Sequence, residues 1–178
     1  MPATPPRSSR PAGERAILPD LLGPGLRLVF CGMAAGHASA ARRAYYAGPG
    51  NRFWPMLHAT GLTRRLFQPE EFPALIALGI GLTDIAKRAS GPDRAIPRRA
   101  EDAADLRRKI AAHAPRVLAF NGKCAAGRFL GGRSGYGWQA ETIGPTRLFV
   151  LPSTSGAARG FWDEAPWREL AAAVRDLR

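Results

Sequence analysis

Short apolar runs, set apart by longer mixed segments, give this chain its pattern. They occupy residues 26–31 (LRLVFC), 80–85 (IGLTDI), 116–120 (RVLAF) and 147–151 (RLFVL). Runs of this length, rich in Val, Ile and Phe, suit buried strands better than helices. Between them the apolar positions return at helical spacing. Residues 51–60 group Phe53, Trp54, Met56 and Leu57 ahead of Gly61, and residues 69–78 open with Pro69-Glu70-Glu71, acids that suit the positive end of a helix. Residues 100–114 place Leu106 and Ile110 four apart, residues 124–130 follow an Asn-Gly-Lys turn, and residues 164–177 form an amphipathic close. Strands alternating with helices predict an α/β fold of three layers, α/β/α, around a mainly parallel four-stranded sheet.

The segments after the first and last apolar runs are built alike. Gly32, Met33, Ala34, Ala35 and Gly36 follow the first; Ser153, Thr154, Ser155, Gly156, Ala157, Ala158 and Arg159 follow the last. Small residues let a ligand approach the backbone, and open α/β sheets bind ligands where their strands end. Two tyrosines, Tyr45 and Tyr46, then Asn51, Arg52, Phe53 and Trp54 add ring faces, an amide and a cation, enough for a flat polar ring beside a phosphate. Trp54 reads as core. The spacing of Gly32 and Gly36 is not a dinucleotide fingerprint, and no phosphate loop occurs. Residues 87–99 carry Lys87, Arg88, Arg94, Arg98 and Arg99 beside two prolines and read as a mobile basic loop at a strand exit.

Charge narrows the choice of partner. Lys and Arg total 26 against 14 Asp and Glu, a formal net charge of +12, and only Lys87, Lys109 and Lys123 of the basic residues are lysines. Arginine forks onto phosphates and stacks on bases, so this excess points to nucleic acid. Residues 1–16, with four prolines and three arginines, read as a flexible basic arm, and residues 17–178 as a single domain. No apolar run approaches the ~20 residues that span a bilayer, and no secretory signal is read at the start. Cys31 and Cys124 suit reduced thiols and are too few for a four-cysteine iron–sulfur cluster. No metal or cofactor is expected, and the expected setting is a monomer in the bacterial cytoplasm.

Five segments in order then resemble the mismatch-specific uracil-DNA glycosylase and thymine-DNA glycosylase family. Residues 32–36 (GMAAG) sit where that family has G-I-N-P-G, and residues 50–54 (GNRFW) match its N-R-F-W segment. Residues 79–84 (GIGLTD) match G-x-G-L-T-[ND], residues 120–123 (FNGK) its F-x-G-K turn, and residues 151–156 (LPSTSG) the stretch ending L-P-N-P-S-G. The resemblance implies the uracil-DNA glycosylase fold and a monofunctional enzyme of base excision repair. It would flip uracil out of double- or single-stranded DNA and hydrolyse the N-glycosidic bond, leaving an abasic site.

Carried over by position, Tyr46 stacks on the flipped base, with neighbouring Tyr45 as the alternative. Asn51 either reads a base edge or caps the following helix. The backbone at Gly32, Met33, Ala34, Ala35 and Gly36, with Phe53 and Ser153, completes the base pocket. Lys87, Arg88, Lys123, Ser155, Gly156, Ala157, Ala158 and Arg159 face the DNA. Two departures matter. The family asparagine that positions the attacking water is Ala34 here, and the bulky residue that wedges into the duplex is Ala157. The expected water activator is therefore Asp84 at the second strand exit, with His37 as a second candidate, while Arg159 is left to fill the gap in the duplex. Two alternatives stand beside this: a protein that binds uracil or abasic DNA without turnover, or an excision enzyme for hypoxanthine or xanthine.

Overall fold

The computed structural model describes residues 15–177. Five strands form one sheet: β1 (Leu28–Gly32), β2 (Ile80–Asp84), β3 (Val117–Asn121), β4 (Gly137–Ile143) and β5 (Thr146–Leu151). Their order is β2-β1-β3-β5-β4, with β1, β2, β3 and β5 parallel and β4 antiparallel to β5. The helices are α1 (His37–Arg42), α2 (Phe53–Ala59), α3 (Ala103–His113), α4 (Lys123–Leu130) and α5 (Ala165–Asp176). The four expected strands are all present, and the α/β class holds.

Side-chain parity builds the layers. Successive residues of a strand face opposite sides of the sheet, so a run buried throughout must feed two cores. Leu28 and Phe30 of β1 join Leu82, Ala119 and Phe149 in a core closed by α2 and by Trp167, Leu170 and Val174 of α5. Val29 and Cys31 join Leu118, Phe120 and Val150 in the opposite core, closed by Leu106 and Ile110 of α3 and Phe129 of α4. In the first core the Phe30 ring meets Phe53 edge-on at 5.1 Å and stacks on Trp167 at 5.5 Å. Burying side chains of this size contributes about 1.5–3 kcal/mol each.

Two local expectations need correction. The expected sheet has four strands, and the structure adds a fifth, β4. β4 is an edge strand whose burial never alternates cleanly, and it carries Gln139 and Glu141 on a half-exposed surface, so no strand period shows. Residues 69–78 are a 3-10 segment rather than an α-helix, with Pro73 inside it, where an α-helix would need the backbone N–H that proline lacks. At the other sheet edge, Leu21 pairs with Leu82, both amides bonding to the opposite carbonyls at 2.9 and 3.0 Å, which covers β2. The expected arm falls, up to residue 14, outside the described residues.

Candidate active site

Parity also decides which polar side chains meet. Asp84 ends β2 on the face that carries Ile80 and Leu82, and the register sets Gly32 of β1 beside it. Asn121 ends β3 on that same face, in line with Val117 and Ala119. Three neighbouring strands thus finish with Asp84, Gly32 and Asn121 side by side. They form part of a cleft of about 870 Å³, whose walls come from residues 32–39, Tyr46, residues 91–94 and residues 153–158. The two strand exits read as alike in the sequence therefore do face one crevice.

Gly32 is needed by its neighbours. A Cβ there would lie 2.6 Å from Asp84 Oδ1 and 3.3 Å from Tyr46 Oη, so the missing side chain makes room for both oxygens. Asp84 is 5% exposed. Burial pushes its carboxyl up to about 6; Lys87 partly offsets this, and the charges of Asp20 and Asp93 add to it. No hydrogen bond among the described residues contributes to that balance.

Tyr46 is half-buried and lines the cleft. Phe53 stacks on one face of its ring at 4.0 Å and 26°. Its backbone is left-handed, with φ 55°, unusual for an aromatic residue. The chain is pinned on both sides of that strain: Trp54 Nε1 donates to the Tyr45 carbonyl and Ala47 N to Ser39 Oγ, each at 3.0 Å. Phe53 itself is fully buried and supports Tyr46 from behind, so it does not form the wall expected of it. Tyr45 is 1% exposed, its hydroxyl donating to the Pro19 carbonyl and accepting from Lys87, both at 3.0 Å.

The first exit loop offers backbone rather than side chains. The carbonyls of Gly32 and Met33 accept from Ile85 and Ala86 at 3.0 and 2.8 Å. The amides of Met33 and Ala34 donate to no backbone carbonyl among the described residues, so they remain as donors at the cleft. Asn51 Oδ1 accepts from Phe53 N at 2.9 Å, so its oxygen caps the start of α2 while the residue borders the cleft. His37 is exposed at the start of α1, its ring against Gly91.

The opposite wall is tied down. Asn121 Nδ2 donates to Thr154 Oγ1 at 2.8 Å, and Asn121 Oδ1 accepts from Thr154 N at 3.0 Å. The Thr154 carbonyl accepts from Arg52 N at 2.9 Å, which joins this wall to the start of α2. Gly122, at φ 115°, brings the β3 exit so close to Ser153 that an added Cβ would lie 3.2 Å from Ser153 Cβ. Ser155 and Ala157 are exposed on the rim beside Gly156 and Ala158. The Arg159 side chain lies outside the described residues.

Of the basic residues assigned to DNA, Arg88 and Lys123 are exposed, and Lys123 lies over the Tyr136 ring at 4.2 Å. Lys87 turns inward instead. Its ammonium pairs with Asp20 at 2.8 Å, and its side chain is 12% exposed. Asp20 must be charged for this: burial pushes its carboxyl up, but Lys87 and Lys109 hold it below the usual range. The loop containing Lys87 is also fastened, with Ile17 N donating to the Lys87 carbonyl at 2.7 Å and Gly91 N to the Ala35 carbonyl at 2.9 Å. Sequence reasoning missed three participants. Asn121 passed as part of a turn, Asp93 was hidden among arginines, and Arg94 was not singled out for the cleft. Burial raises the Asp93 carboxyl above its usual range, with Arg128 partly offsetting the shift. An acid two residues past Gly91, in a loop that bridges to Ala35, was the available signal.

Among the described residues, no group of three or more His, Cys, Asp or Glu side chains is placed to hold a metal ion. No helix among them is long and apolar enough to cross a membrane.

Comparison with known proteins agrees with the fold. The sequence model of the uracil DNA glycosylase superfamily matches residues 19–178. The fold is similar to a solution NMR structure described as "a putative Uracil DNA glycosylase from Methanosarcina acetivorans". That similarity has a TM-score of 0.59 at 25% sequence identity and covers 92% of this chain and 98% of the other. The chain belongs to the uracil DNA glycosylase superfamily.

Proposed function

We propose that this member of the uracil DNA glycosylase superfamily is a monofunctional uracil-DNA glycosylase of the mismatch-specific type, with Asp84 as its general base. One observation carries the reading: a buried carboxylate, free of hydrogen bonds among the described residues, ends β2 inside the cleft beside a glycine that makes room for it. Structural carboxylates are normally paired when buried, and a free one is costly. Uncommitted and raised toward neutrality, Asp84 suits proton transfer near pH 7.

The chemistry follows from these positions. A uracil flipped out of DNA slides its ring along Tyr46, with stacking contributing roughly 1–3 kcal/mol. Water adds to C1′ of the sugar as the bond from C1′ to N1 breaks, and the bonding pair leaves with the base. The water proton passes to Asp84, whose negative charge also stabilises the cationic sugar. The free amides of Met33 and Ala34 suit a carbonyl of the departing base as its charge grows. This route needs no side chain at Ala34, the position where the family resemblance places asparagine. The product is an abasic site and free uracil.

The test is a single-turnover assay on oligonucleotides carrying one uracil, single-stranded or opposite guanine or adenine, cleaved by alkali afterwards. Wild type is expected to cut and Asp84→Asn to lose about 10²–10⁴-fold in rate. The wild-type rate should fall below about pH 6 as the Asp84 carboxylate takes up its proton. Full activity in Asp84→Asn would remove Asp84 from the mechanism. No cutting by wild type, with a retained gel shift specific for uracil or abasic DNA, would favour a lesion-binding protein. Parallel strands carrying hypoxanthine or xanthine test the base range.

A further inference from the structure

We infer that Tyr46 acts in the cleft through its hydroxyl as well as its ring: the O–H donates to the Asp84 carboxylate and orients it as the base. This rests on the reading of Asp84 given above. Tyr46 Oη is shielded from solvent, and it and Ser134 Oγ are the two such buried side-chain atoms without a hydrogen-bond partner among the described residues. A shielded hydroxyl without an acceptor is costly and calls for one nearby. Two candidates lie close. The Asn121 amide oxygen is engaged with Thr154 N, and the second hydrogen of its Nδ2 can only donate to Tyr46 Oη, which still leaves the O–H without an acceptor. Asp84 Oδ1 and Tyr46 Oη instead flank the same point above Gly32, at 2.6 and 3.3 Å, and Asp84 accepts from no other group among the described residues.

The surroundings fit a held donor. Tyr46 keeps a strained backbone between two pinned neighbours, and Phe53 fixes the plane of its ring. Strain of this kind persists only where the structure around it is over-determined. A hydrogen bond to the ionised carboxylate favours that form, so the hydroxyl widens the pH range in which Asp84 can act. The other charged groups that influence Asp84 are Lys87, Asp20 and Asp93, none of which is altered by the test below.

The decisive variant is Tyr46→Phe, which keeps the ring and removes the oxygen. Single-turnover excision should slow about tenfold, the loss expected for one charge-assisted hydrogen bond. Binding of uracil-containing DNA should stay within a factor of about two, since the stacking face remains. The acid limb of the rate profile should move to higher pH, so that the deficit narrows as pH rises. Tm should fall modestly at neutral pH, where the ionised Asp84 carboxylate loses its donor, and less at acid pH, where that carboxylate is protonated. Tyr46→Leu, which takes away the face as well, should weaken DNA binding too. Wild-type rate and an unmoved acid limb in Tyr46→Phe would overturn the inference while leaving Asp84 in place if Asp84→Asn is still inactive. A fall in Tm with no change in the acid limb would also overturn it, by making the hydroxyl structural. Activity in Asp84→Asn would fell both readings.

Discussion

Asp84 and Asn121 end two strands that flank β1, on the same face and at nearly equal burial, 5% and 7% exposed. Their environments are opposite. Asn121 spends both ends of its amide on Thr154 and so locks the wall formed by residues 153–158. Asp84 has no such partner among the described residues, and burial pushes it up to about 6. Burial of a polar group therefore does not mark function by itself. What distinguishes the two is whether the surroundings satisfy the group, and the unsatisfied one is where chemistry is expected.

The largest expected effect tests this contrast on rate. Asp84→Asn should lose about 10²–10⁴-fold in single-turnover excision and still bind uracil-containing DNA. Asn121→Ala should act mainly through weaker binding by a loosened wall, so it should raise KM more than it lowers kcat. Equal loss of kcat in both variants would erase the distinction.

Stability should separate the pair by sign. The folded Asp84 holds its proton up to about pH 6, against 3.8 for an ordinary aspartate. Between those values the folded state binds more protons than the unfolded one, so stability falls as pH rises and the full cost is present above pH 6. Asp84→Asn should thus be more stable than wild type at pH 7.5, by on the order of 2–3 kcal/mol. That gain should vanish by about pH 4 in thermal melts. An unchanged Tm at pH 7.5 would mean that Asp84 is satisfied in solution. Asn121→Ala should instead be destabilised by about 1–3 kcal/mol, because Thr154 N is left buried without an acceptor. A smaller effect is expected on the rim that Asn121 secures. Ala157→Leu supplies a side chain able to fill the gap of a flipped base, and excision from duplex should rise about threefold relative to single strands. An equal change on both substrates would place residue 157 away from the duplex.

Much of the site was legible because its signals are local. Asp84 stood out as an acid closing an apolar run, and residues 32–36 as small residues after a strand. Parity along the same runs is what puts Asp84 and Gly32 on one face. The resemblance pointed to Tyr46, and the structure places that residue along the cleft. Where the reading of residues missed, a distant partner was the cause. Nothing near Lys87 reveals that Asp20 draws it inward, and nothing near Phe53 shows that it lies behind Tyr46 rather than beside it.

The sequence by itself determined the alternation of buried strands and helices, the basic character and the small-residue exits, because strand and helix periods and the steric freedom of glycine act over a few residues. Tertiary structure alone decided that Asn121 would be satisfied and Asp84 left free, that Asp93 would enter the cleft, and that β4 would complete the sheet. Those outcomes depend on which distant groups share one low-dielectric space, where a single missing hydrogen bond changes the state of a charge.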